Sequence, residues 1–266
     1  MNPQDEKYAQ ALQRILNIMN ELREQCPWDK KQTLTSLRHL TIEETYELSD
    51  AILEGDLEEI KKELGDLFLH IVFYAKIASE KNAFDMADII NGVCEKVIAR
   101  HPHIYGNVAV DNEEDVKRNW EILKLKEKGN QSVLSGVPNS LPALVKAMRI
   151  QEKARGVGFD WQDKQAVWEK VVEELHEFQA CFTNGQIQDE EKAENEFGDL
   201  LFSLVNYARF IDLNPETALE KTNKKFMSRF NYIEEKAKQQ NKALHEMTLA
   251  EMDQYWEEAK HLLKTR

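Results

Sequence analysis

Cysteine and proline are both scarce in this chain of 266 residues, which contains three cysteines and six prolines. Cys26, Cys94 and Cys181 are odd in number and far apart, so they argue against a disulfide framework and favour a reducing compartment. The prolines leave residues 28–101 and 143–214 without a strong helix breaker. Both stretches therefore have room for long helices.

An excess of positive charge and a long apolar run are also missing. The 35 Lys and Arg residues against 48 Asp and Glu residues give a net charge of −13, which disfavours binding to nucleic acid or anionic lipid. No apolar run approaches the ~20 residues of a membrane span. The first residues, MNPQDEKYAQ, lack a basic-then-apolar leader. We therefore expect a soluble cytoplasmic protein with no nucleic-acid or membrane partner.

Apolar residues recur at helical spacing. Steps of three or four near the start of the chain join Tyr8, Leu12, Ile15, Leu16, Met19 and Leu22. No alternating run bounded by turn signals indicates a sheet, and only YGNVAV at 105–110 could be a short extended piece inside a loop. The sequence therefore predicts an all-α fold.

The chain contains an internal repeat. EETYE at 43–47 matches EELHE at 173–177, and ELGDLFLHIVFYA at 63–75 matches EFGDLLFSLVNYA at 196–208. Two shorter matches follow in the same order: EKVIAR at 95–100 with KKFMSR at 224–229, and WEILK at 120–124 with WEEAK at 256–260. These four blocks indicate duplication of a whole helical unit. Because glycine, proline and polar turn-formers cluster in the middle of the chain, we predict helical domains at 1–128 and 143–266 joined by a linker at 129–142.

Carboxylates are concentrated in the repeated blocks. Glu44 and Glu47 share one face of a helix, as do Glu63 and Asp66, and a Gly-Asp turn at 55–56 separates the two pairs. The pairs lie symmetrically about Gly55, so they stand opposite each other in an antiparallel hairpin. The second copy repeats this symmetry around a longer loop with Glu174, Glu177, Glu196 and Asp199.

Carboxylates this close to one another need a cation to neutralise their repulsion. Two bare carboxylates about 4 Å apart repel by roughly 4 kcal/mol at an effective dielectric constant of 20. Hard oxygen ligands without paired Cys or His favour magnesium, with manganese as a possible substitute, over zinc or copper. A di-iron bundle needs Glu-x-x-His on two helices. Only Glu173 and His176 fit this pattern, because the residue equivalent to His176 in the first copy is Tyr46. One E-x-x-E motif alone is usually a solvated surface, but the facing pairs and the duplication favour a metal site.

Basic and aromatic residues accompany each copy at helical spacing. The candidate substrate-binding residues are Lys96, Arg100, Trp120 and Lys124 in the first copy, and Lys225, Arg229, Trp256 and Lys260 in the second. Magnesium together with several cations is typical of a site that handles phosphate. The two Trp residues could stack on a base or simply pack in the helix. Neither a G-x-x-x-x-G-K-[ST] phosphate loop nor an H-E-x-x-H motif is present.

E-E-x-x-E followed by E-x-x-D, in two copies, resembles the MazG family of nucleoside triphosphate pyrophosphohydrolases in its tandem form. CPWDKKQT near the start, GVGFDW in the second half and the linker's LPAL extend the resemblance over nearly the whole chain. It implies a dimeric all-α enzyme that uses magnesium to convert NTPs and dNTPs to monophosphates and pyrophosphate. It also implies metal-ligand roles for Glu44, Glu47, Glu63, Asp66, Glu174, Glu177, Glu196 and Asp199. Glu43 and Glu173 are then the residues that support the ligands or orient water.

The mechanism that we expect is attack of a metal-activated water on the α-phosphorus, with Lys225, Arg229 and Lys260 holding the phosphates. We expect the second copy to be the working one, because Asn223 can donate and accept hydrogen bonds at a ligand, whereas Cys94 in the first copy does so weakly. The alternative is a non-catalytic helical adaptor that binds a partner through its acidic surface and uses metal only for structure.

Overall fold

The computed structural model describes residues 2–110, 112, 115–116, 119–120, 123 and 132–262. The chain forms two compact units, Met1–Val116 and Lys117–Arg266. We refer to them as the first and the second unit. The finer boundaries expected from the sequence, with a linker at 129–142, stay a prediction.

The first unit contains five described α-helices. They are α1 (Pro3–Gln25), α2 (Leu34–Glu54), α3 (Leu57–Ser79), α4 (Met86–Arg100) and α5 (Pro102–Tyr105), with a 3₁₀ turn at Asp29–Lys31. The Asn2 side chain caps α1 by accepting hydrogen bonds from the backbone N–H groups of Gln4 and Asp5. The Thr33 side chain caps α2 by accepting a hydrogen bond from the backbone N–H of Ser36. Helices α2 and α3 pack along each other as a hairpin, and α1 packs on α3.

The core of the first unit lies between α1, α2 and α3. Met19, Leu37 and Val72 are each only 1% exposed, and Ile15 and Leu16 of α1 pack against this cluster. The apolar face that the sequence predicts for α1 is therefore confirmed.

The second unit is also built from α-helices. Its described helices are α6 (Ala143–Gly156), α7 (Lys164–Ala180), α8 (Glu190–Phe210), α9 (Pro215–Gln239) and α10 (Leu249–Leu262), with 3₁₀ turns at Val133–Gly136 and Leu244–Glu246. Side-chain caps begin three of them, since Asp163, Asp189 and Asn214 each accept from a backbone N–H three residues later. Helices α7 and α8 form the second hairpin, α6 packs on α8, and α9 packs on α10.

A small sheet interrupts the second hairpin. Strands β1 (Phe182–Thr183) and β2 (Gln186–Ile187) pair antiparallel around Asn184 and Gly185, which both have positive φ. The sequence analysis predicted no sheet, and at this position it was wrong. An Asn-Gly pair is a strong hairpin signal, but strands of two residues are too short to show alternation.

The all-α fold class is confirmed. Apart from this short hairpin, the regular secondary structure of the described residues is helical. No strand forms at 105–110, where Tyr105 ends α5 and the following residues are irregular. Among the described residues, no helix combines the length and apolar character that crossing a membrane requires.

Candidate metal and nucleotide site

The first hairpin owes its geometry to a two-residue turn. Gly55 ends α2 in the left-handed conformation with φ of 72°, and Asp56 begins α3 by accepting from the N–H groups of Glu58 and Glu59. The sequence analysis predicted this Gly-Asp turn. It allows the carboxylates of α2 and α3 to face each other.

Three carboxylates meet on this hairpin. Ligand oxygens of Glu44, Glu63 and Asp66 all lie within 4.8 Å of one another. Glu47 is exposed and lies outside that group, while Glu43 is exposed on the same helix. The structure therefore brings three of the four expected first-copy ligands together.

The pKa values in this cluster move in opposite directions. Burial, followed by the charges of Asp66 and Glu47, raises the pKa of Glu44. Burial and the charge of Glu63 likewise raise the pKa of Glu47. A hydrogen bond from Lys62 lowers the pKa of Glu63. One carboxylate thus keeps its negative charge while its neighbours hold their protons more tightly.

The second hairpin carries a matching cluster. Ligand oxygens of Glu174, Glu196 and Asp199 also lie within 4.8 Å of one another. Glu177 is exposed and outside that group, although burial and then the charges of Glu196 and Glu174 raise its pKa. No histidine belongs to either cluster within the part of the chain that the structure describes, and His176 is exposed. This donor set differs from the di-iron arrangement.

A lysine pairs with the buried carboxylate of each cluster. Lys62 Nζ lies 2.9 Å from Glu63 Oε1, and Lys170 Nζ lies 2.7 Å from Glu174 Oε1. Lys170 also pairs with Glu173 at 2.9 Å. The sequence analysis missed both lysines, although the spacing of four residues between Lys170 and Glu174 is one at which helical side chains pair.

Either cluster has the donor chemistry for a hard divalent cation. All its ligands are carboxylate oxygens, as magnesium and manganese prefer. In the first cluster, Glu63 Oε2 is buried and has no hydrogen-bond partner among the residues that the structure describes, so at least one oxygen there is available to a cation. The residues therefore fit the expected ion.

The basic and aromatic residues of the second unit meet where α9 packs on α10. The guanidinium carbon of Arg229 lies 5.2 Å from the ring centroid of Trp256, and Phe226 packs on the same indole at 5.0 Å. Lys260 follows on α10 and bonds Glu257 at 3.1 Å. Lys225 is exposed and forms no ion pair with another described residue.

Two further features of this basic cluster concern hydrogen bonding. Asn223 is exposed and donates to Glu220 at 3.1 Å, which leaves its carbonyl oxygen available. Arg229 Nε is buried without a partner in the described part of the chain. The structure places these cations on α9 and α10 without an ion pair to the carboxylate cluster on α7 and α8.

The corresponding basic and aromatic residues of the first sequence copy are divided between the units, because Lys96 and Arg100 belong to the first unit and Trp120 to the second. Lys96 is exposed on α4 and Arg100 is half-buried at its end. Trp120 is 37% exposed. Lys124 lies outside the described residues.

Comparison with known proteins identifies the family. A model described as the MazG nucleotide pyrophosphohydrolase domain matches residues 32–105. Nucleoside triphosphate pyrophosphohydrolase/pyrophosphatase MazG of Thermotoga maritima is 43% identical over 252 residues, covering 93% of this chain and 95% of that protein. The chain belongs to the MazG family. The resemblance predicted from the sequence is confirmed.

Two more relatives match this chain over most of its length. Nucleoside triphosphate pyrophosphohydrolase of Escherichia coli is 39% identical over 255 residues, covering 94% of this chain and 97% of that protein. An uncharacterised Bacillus subtilis protein is 48% identical over 248 residues, covering 92% of this chain and 50% of its own length. Both matches therefore extend through the first and the second unit.

Proposed function

We propose that the chain hydrolyses nucleoside triphosphates, with either ribose or deoxyribose, to the monophosphate and pyrophosphate. The observation that carries the proposal is the cluster of Glu174, Glu196 and Asp199 within 4.8 Å, in a chain that belongs to the MazG family. Two relatives that cover more than nine-tenths of the chain bear the name nucleoside triphosphate pyrophosphohydrolase.

Magnesium is the proposed cofactor, and manganese is the proposed substitute. Glu174, Glu196 and Asp199 would hold it in the second unit, with Glu177 as the fourth ligand. In the first unit, Glu44, Glu63 and Asp66 would do so, with Glu47 as the fourth. When bound, magnesium supplies positive charge that stabilises phosphate oxygens and lowers the pKa of water.

A carboxylate of the chain itself would accept the proton of the attacking water. Glu173 is exposed beside the cluster, and its Oε1 accepts from Lys170 at 2.9 Å. This contact holds the carboxylate in position as an acceptor for a proton from water directed at the α-phosphorus. Glu43 has the same place in the first unit.

Basic side chains would bind the phosphates. In the second unit these are Lys225, Arg229 and Lys260, with Asn223 as a neutral partner. Arg229 is half-buried against Trp256, which restricts the guanidinium and reduces the entropy lost on binding a phosphate. Lys96, Arg100, Trp120 and Lys124 are the proposed equivalents in the first copy of the sequence repeat.

A homodimer is the proposed assembly. Leu64, Phe68 and Ile71 form an apolar stripe along α3 and are 41–52% exposed. Phe197, Leu201 and Leu204 form the equivalent stripe on α8 and are 41–45% exposed. Exposed apolar stripes at helical spacing are typical of faces that pair with another chain. Light scattering should therefore give about twice the 31.0 kDa mass of the chain.

Three free cysteines among the described residues support the proposal that the protein works in the cytoplasm, without nucleic-acid or membrane partners.

The competing function is a non-catalytic adaptor with structural metal. Phosphorus NMR of the protein with each dNTP and magnesium separates the two functions, because pyrophosphate and monophosphate should accumulate together. Stepwise diphosphate and orthophosphate would place the attack at the γ-phosphorus, and no product with any nucleotide would leave the adaptor.

A further inference from the structure

An ion pair closes the connection between α9 and α10 in the second unit. Lys242 Nζ lies 2.7 Å from Glu251 Oε1 and 2.8 Å from Glu251 Oε2, and both residues are half-buried. Glu251 Oε2 also accepts from the backbone N–H of Thr248 at 2.7 Å and from the Thr248 hydroxyl at 3.1 Å. One carboxylate therefore caps the start of α10 and joins it to the residues that follow α9.

The charge on this carboxylate is present at any pH at which the protein would be assayed. The hydrogen bond from Lys242, followed by those from the backbone and the hydroxyl of Thr248, lowers the pKa of Glu251 to about 2. A charge-assisted contact to both carboxylate oxygens is also more restrictive than a single hydrogen bond. The pair is therefore a lasting link between the two helices.

Two further polar contacts join the same part of the unit. Gln240 Nε2 donates to the hydroxyl of Tyr255, and the hydroxyl of Tyr232 donates to Glu258 Oε2 at 3.3 Å. An apolar cluster around Ile233 lies beneath them. The hydrophobic contribution is non-directional, whereas hydrogen bonds need a defined geometry. The polar contacts therefore add precision to the position of α10 on α9.

Trp256 lies on α10 among these contacts and packs against Arg229 of α9. The guanidinium carbon of Arg229 lies 5.2 Å from the ring centroid of the indole. Arg229 Nε is buried and has no hydrogen-bond partner among the described residues, so the indole restricts this part of the side chain. Five residues of a helix span only about 7.5 Å, so holding Glu251 in place also holds Trp256.

The lysine of this pair is a feature of the second copy of the sequence repeat. Lys242 lies between Arg229 and Glu251, whereas no lysine or arginine lies between Arg100 and Asp115 in the first copy. Asp115 stands five residues before Trp120, as Glu251 does before Trp256. The first copy thus has a carboxylate at this position without the cation that would pair with it from the preceding connection.

We propose that Lys242 and Glu251 are positioning residues for phosphate binding, because their ion pair holds α10 so that Trp256 keeps the guanidinium of Arg229 oriented for the phosphates. The proposal rests on the proposed pyrophosphohydrolase function for the role of Arg229. Neither Lys242 nor Glu251 touches the nucleotide. Loss of the pair should therefore weaken nucleotide binding and leave the chemical step at the carboxylates of α7 and α8 unchanged.

NMR of the Arg229 Nε–H group tests the positioning in EDTA, without nucleotide or turnover. The indole ring shifts this signal away from that of a free arginine, and Arg229→Lys identifies the signal by removing it. Lys242→Met should move the signal toward the free value. Lys242→Arg should restore it, because a guanidinium also binds both oxygens of a carboxylate. Lys238→Met is the matched control and should have no effect, since Lys238 is exposed on α9.

Steady-state hydrolysis of a dNTP with magnesium measures the consequence for the enzyme. Lys242→Met should raise KM about fivefold, the upper range for a partly exposed ion pair, and should leave kcat within about twofold of the wild type. Lys242→Arg should restore KM, and Lys238→Met should have the wild-type values. All rates are measured well below the melting temperature of each variant, so that a loss of global stability does not enter them.

Glu251→Gln covers the case in which Lys242→Met does not fold. The glutamine keeps an oxygen for the N–H of Thr248 but loses the charge that Lys242 contacts. This variant should reproduce the shifted Arg229 signal and the higher KM. The double variant should be no worse than either single one, because both substitutions remove the same contact.

The outcomes separate this proposal from the proposed function. An Arg229 signal that stays in place in Lys242→Met and Glu251→Gln while the melting temperature falls overturns the proposal, because the pair would then support only the fold. A shifted signal with an unchanged KM overturns it as well, as do additive effects in the double variant. If the wild type hydrolyses no dNTP, the proposed function fails, and a shifted Arg229 signal still supports the positioning of this side chain by Lys242 and Glu251.

Discussion

At the scale of single residues, each carboxylate cluster has one buried member that is held by a lysine. Glu63 is 3% exposed and Glu174 is 6% exposed, and these are the carboxylates that Lys62 and Lys170 contact. A buried carboxylate without a partner would be costly, because burial disfavours its charged form. The lysines therefore stabilise the clusters when no metal is bound, and a metal must compete with them.

Lys170→Met tests this competition. Without the ammonium group, the carboxylates of the second unit should bind Mn²⁺ up to about fivefold more tightly, the effect expected for a partly exposed ion pair. The melting temperature in EDTA should fall, because Glu174 loses its partner. Mn²⁺ titration by electron paramagnetic resonance and thermal melts measure the two effects.

Lys164→Met is the control for that variant, because Lys164 begins the same helix and has no ion pair with a described residue. It should change neither quantity. Equal Mn²⁺ affinity in Lys170→Met and the wild type would contradict the competition between lysine and metal.

The raised pKa of Glu177 predicts how stability depends on pH. Its folded-state pKa lies above the ordinary value of 4.5 because of burial and the charges of Glu196 and Glu174. The folded state therefore binds more protons than the unfolded state, and stability is lost as pH rises through the raised pKa. In EDTA, Glu177→Gln should remove this loss and melt no lower than the wild type near neutral pH, and added magnesium should stabilise it less.

Glu169→Gln is the matched control, since Glu169 is exposed on the same helix and away from the cluster. It should keep the wild-type response to magnesium. If Glu177→Gln melts lower than the wild type with EDTA and with magnesium alike, Glu177 supports the fold and is not a ligand.

The residues of the clusters were predictable because they follow helical periodicity. Glu44 faces Glu63 and Asp66 as a consequence of their spacing about Gly55. The contact of Gln151 was not predictable, because its Nε2 donates to the carbonyl oxygen of Phe202, which lies far along the chain on another helix. Neither its type nor its position in the sequence marks it as unusual.

At the scale of elements, the two helical hairpins carry similar carboxylate clusters although different connections join their helices. A two-residue turn at Gly55 and Asp56 joins α2 to α3, whereas β1 and β2 lie between α7 and α8. The long helices were predictable from the absence of proline. The β-hairpin was not predicted, because pairing in strands of two residues depends on the Asn-Gly turn more than on side-chain alternation.

Gly55→Ala tests the conformational requirement of the tighter turn. A Cβ at this position would meet no atom within 4 Å, so only the backbone conformation at φ of 72° resists the change. The variant should lose about 1 kcal/mol of unfolding free energy, the usual cost of a left-handed conformation for a residue with a side chain. Urea unfolding monitored by circular dichroism measures the change.

Gly92→Ala provides the opposite control. Gly92 lies within α4, and a Cβ there would also meet no atom within 4 Å. Because alanine is a better helix former than glycine, this variant should gain about 0.5–1 kcal/mol. A loss in both variants would show that the substitution disturbs packing instead of the turn.

At the scale of the whole molecule, both units have a carboxylate cluster but differ around it. Phe226 stacks on Phe230 and packs against Trp256, which supports Arg229 in the second unit. The first unit has Val97 and His101 at the equivalent positions. These aromatic contacts favour the second unit as the place where the phosphates are held.

The first unit nevertheless retains polar groups near its cluster. His70, which corresponds to Ser203 in the repeat, is buried, and its Nδ1 has no partner among the described residues. Burial lowers the pKa of His70. The matched family model also covers residues 32–105, which lie in the first unit. The carboxylates alone therefore do not decide which unit performs hydrolysis.

Comparing Glu47→Gln with Glu177→Gln decides between the two units. These residues occupy equivalent places in the repeat, and both are exposed with raised pKa, so the two substitutions remove similar charges. We expect Glu177→Gln to lower kcat at least about 100-fold, while Glu47→Gln stays within about threefold of the wild type, because the contact between Arg229 and Trp256 supports a phosphate-binding group in the second unit. Pyrophosphate release under saturating dNTP and magnesium gives both values. Loss of activity confined to Glu47→Gln would assign hydrolysis to the first unit, and equal partial loss in both variants would assign it to both units.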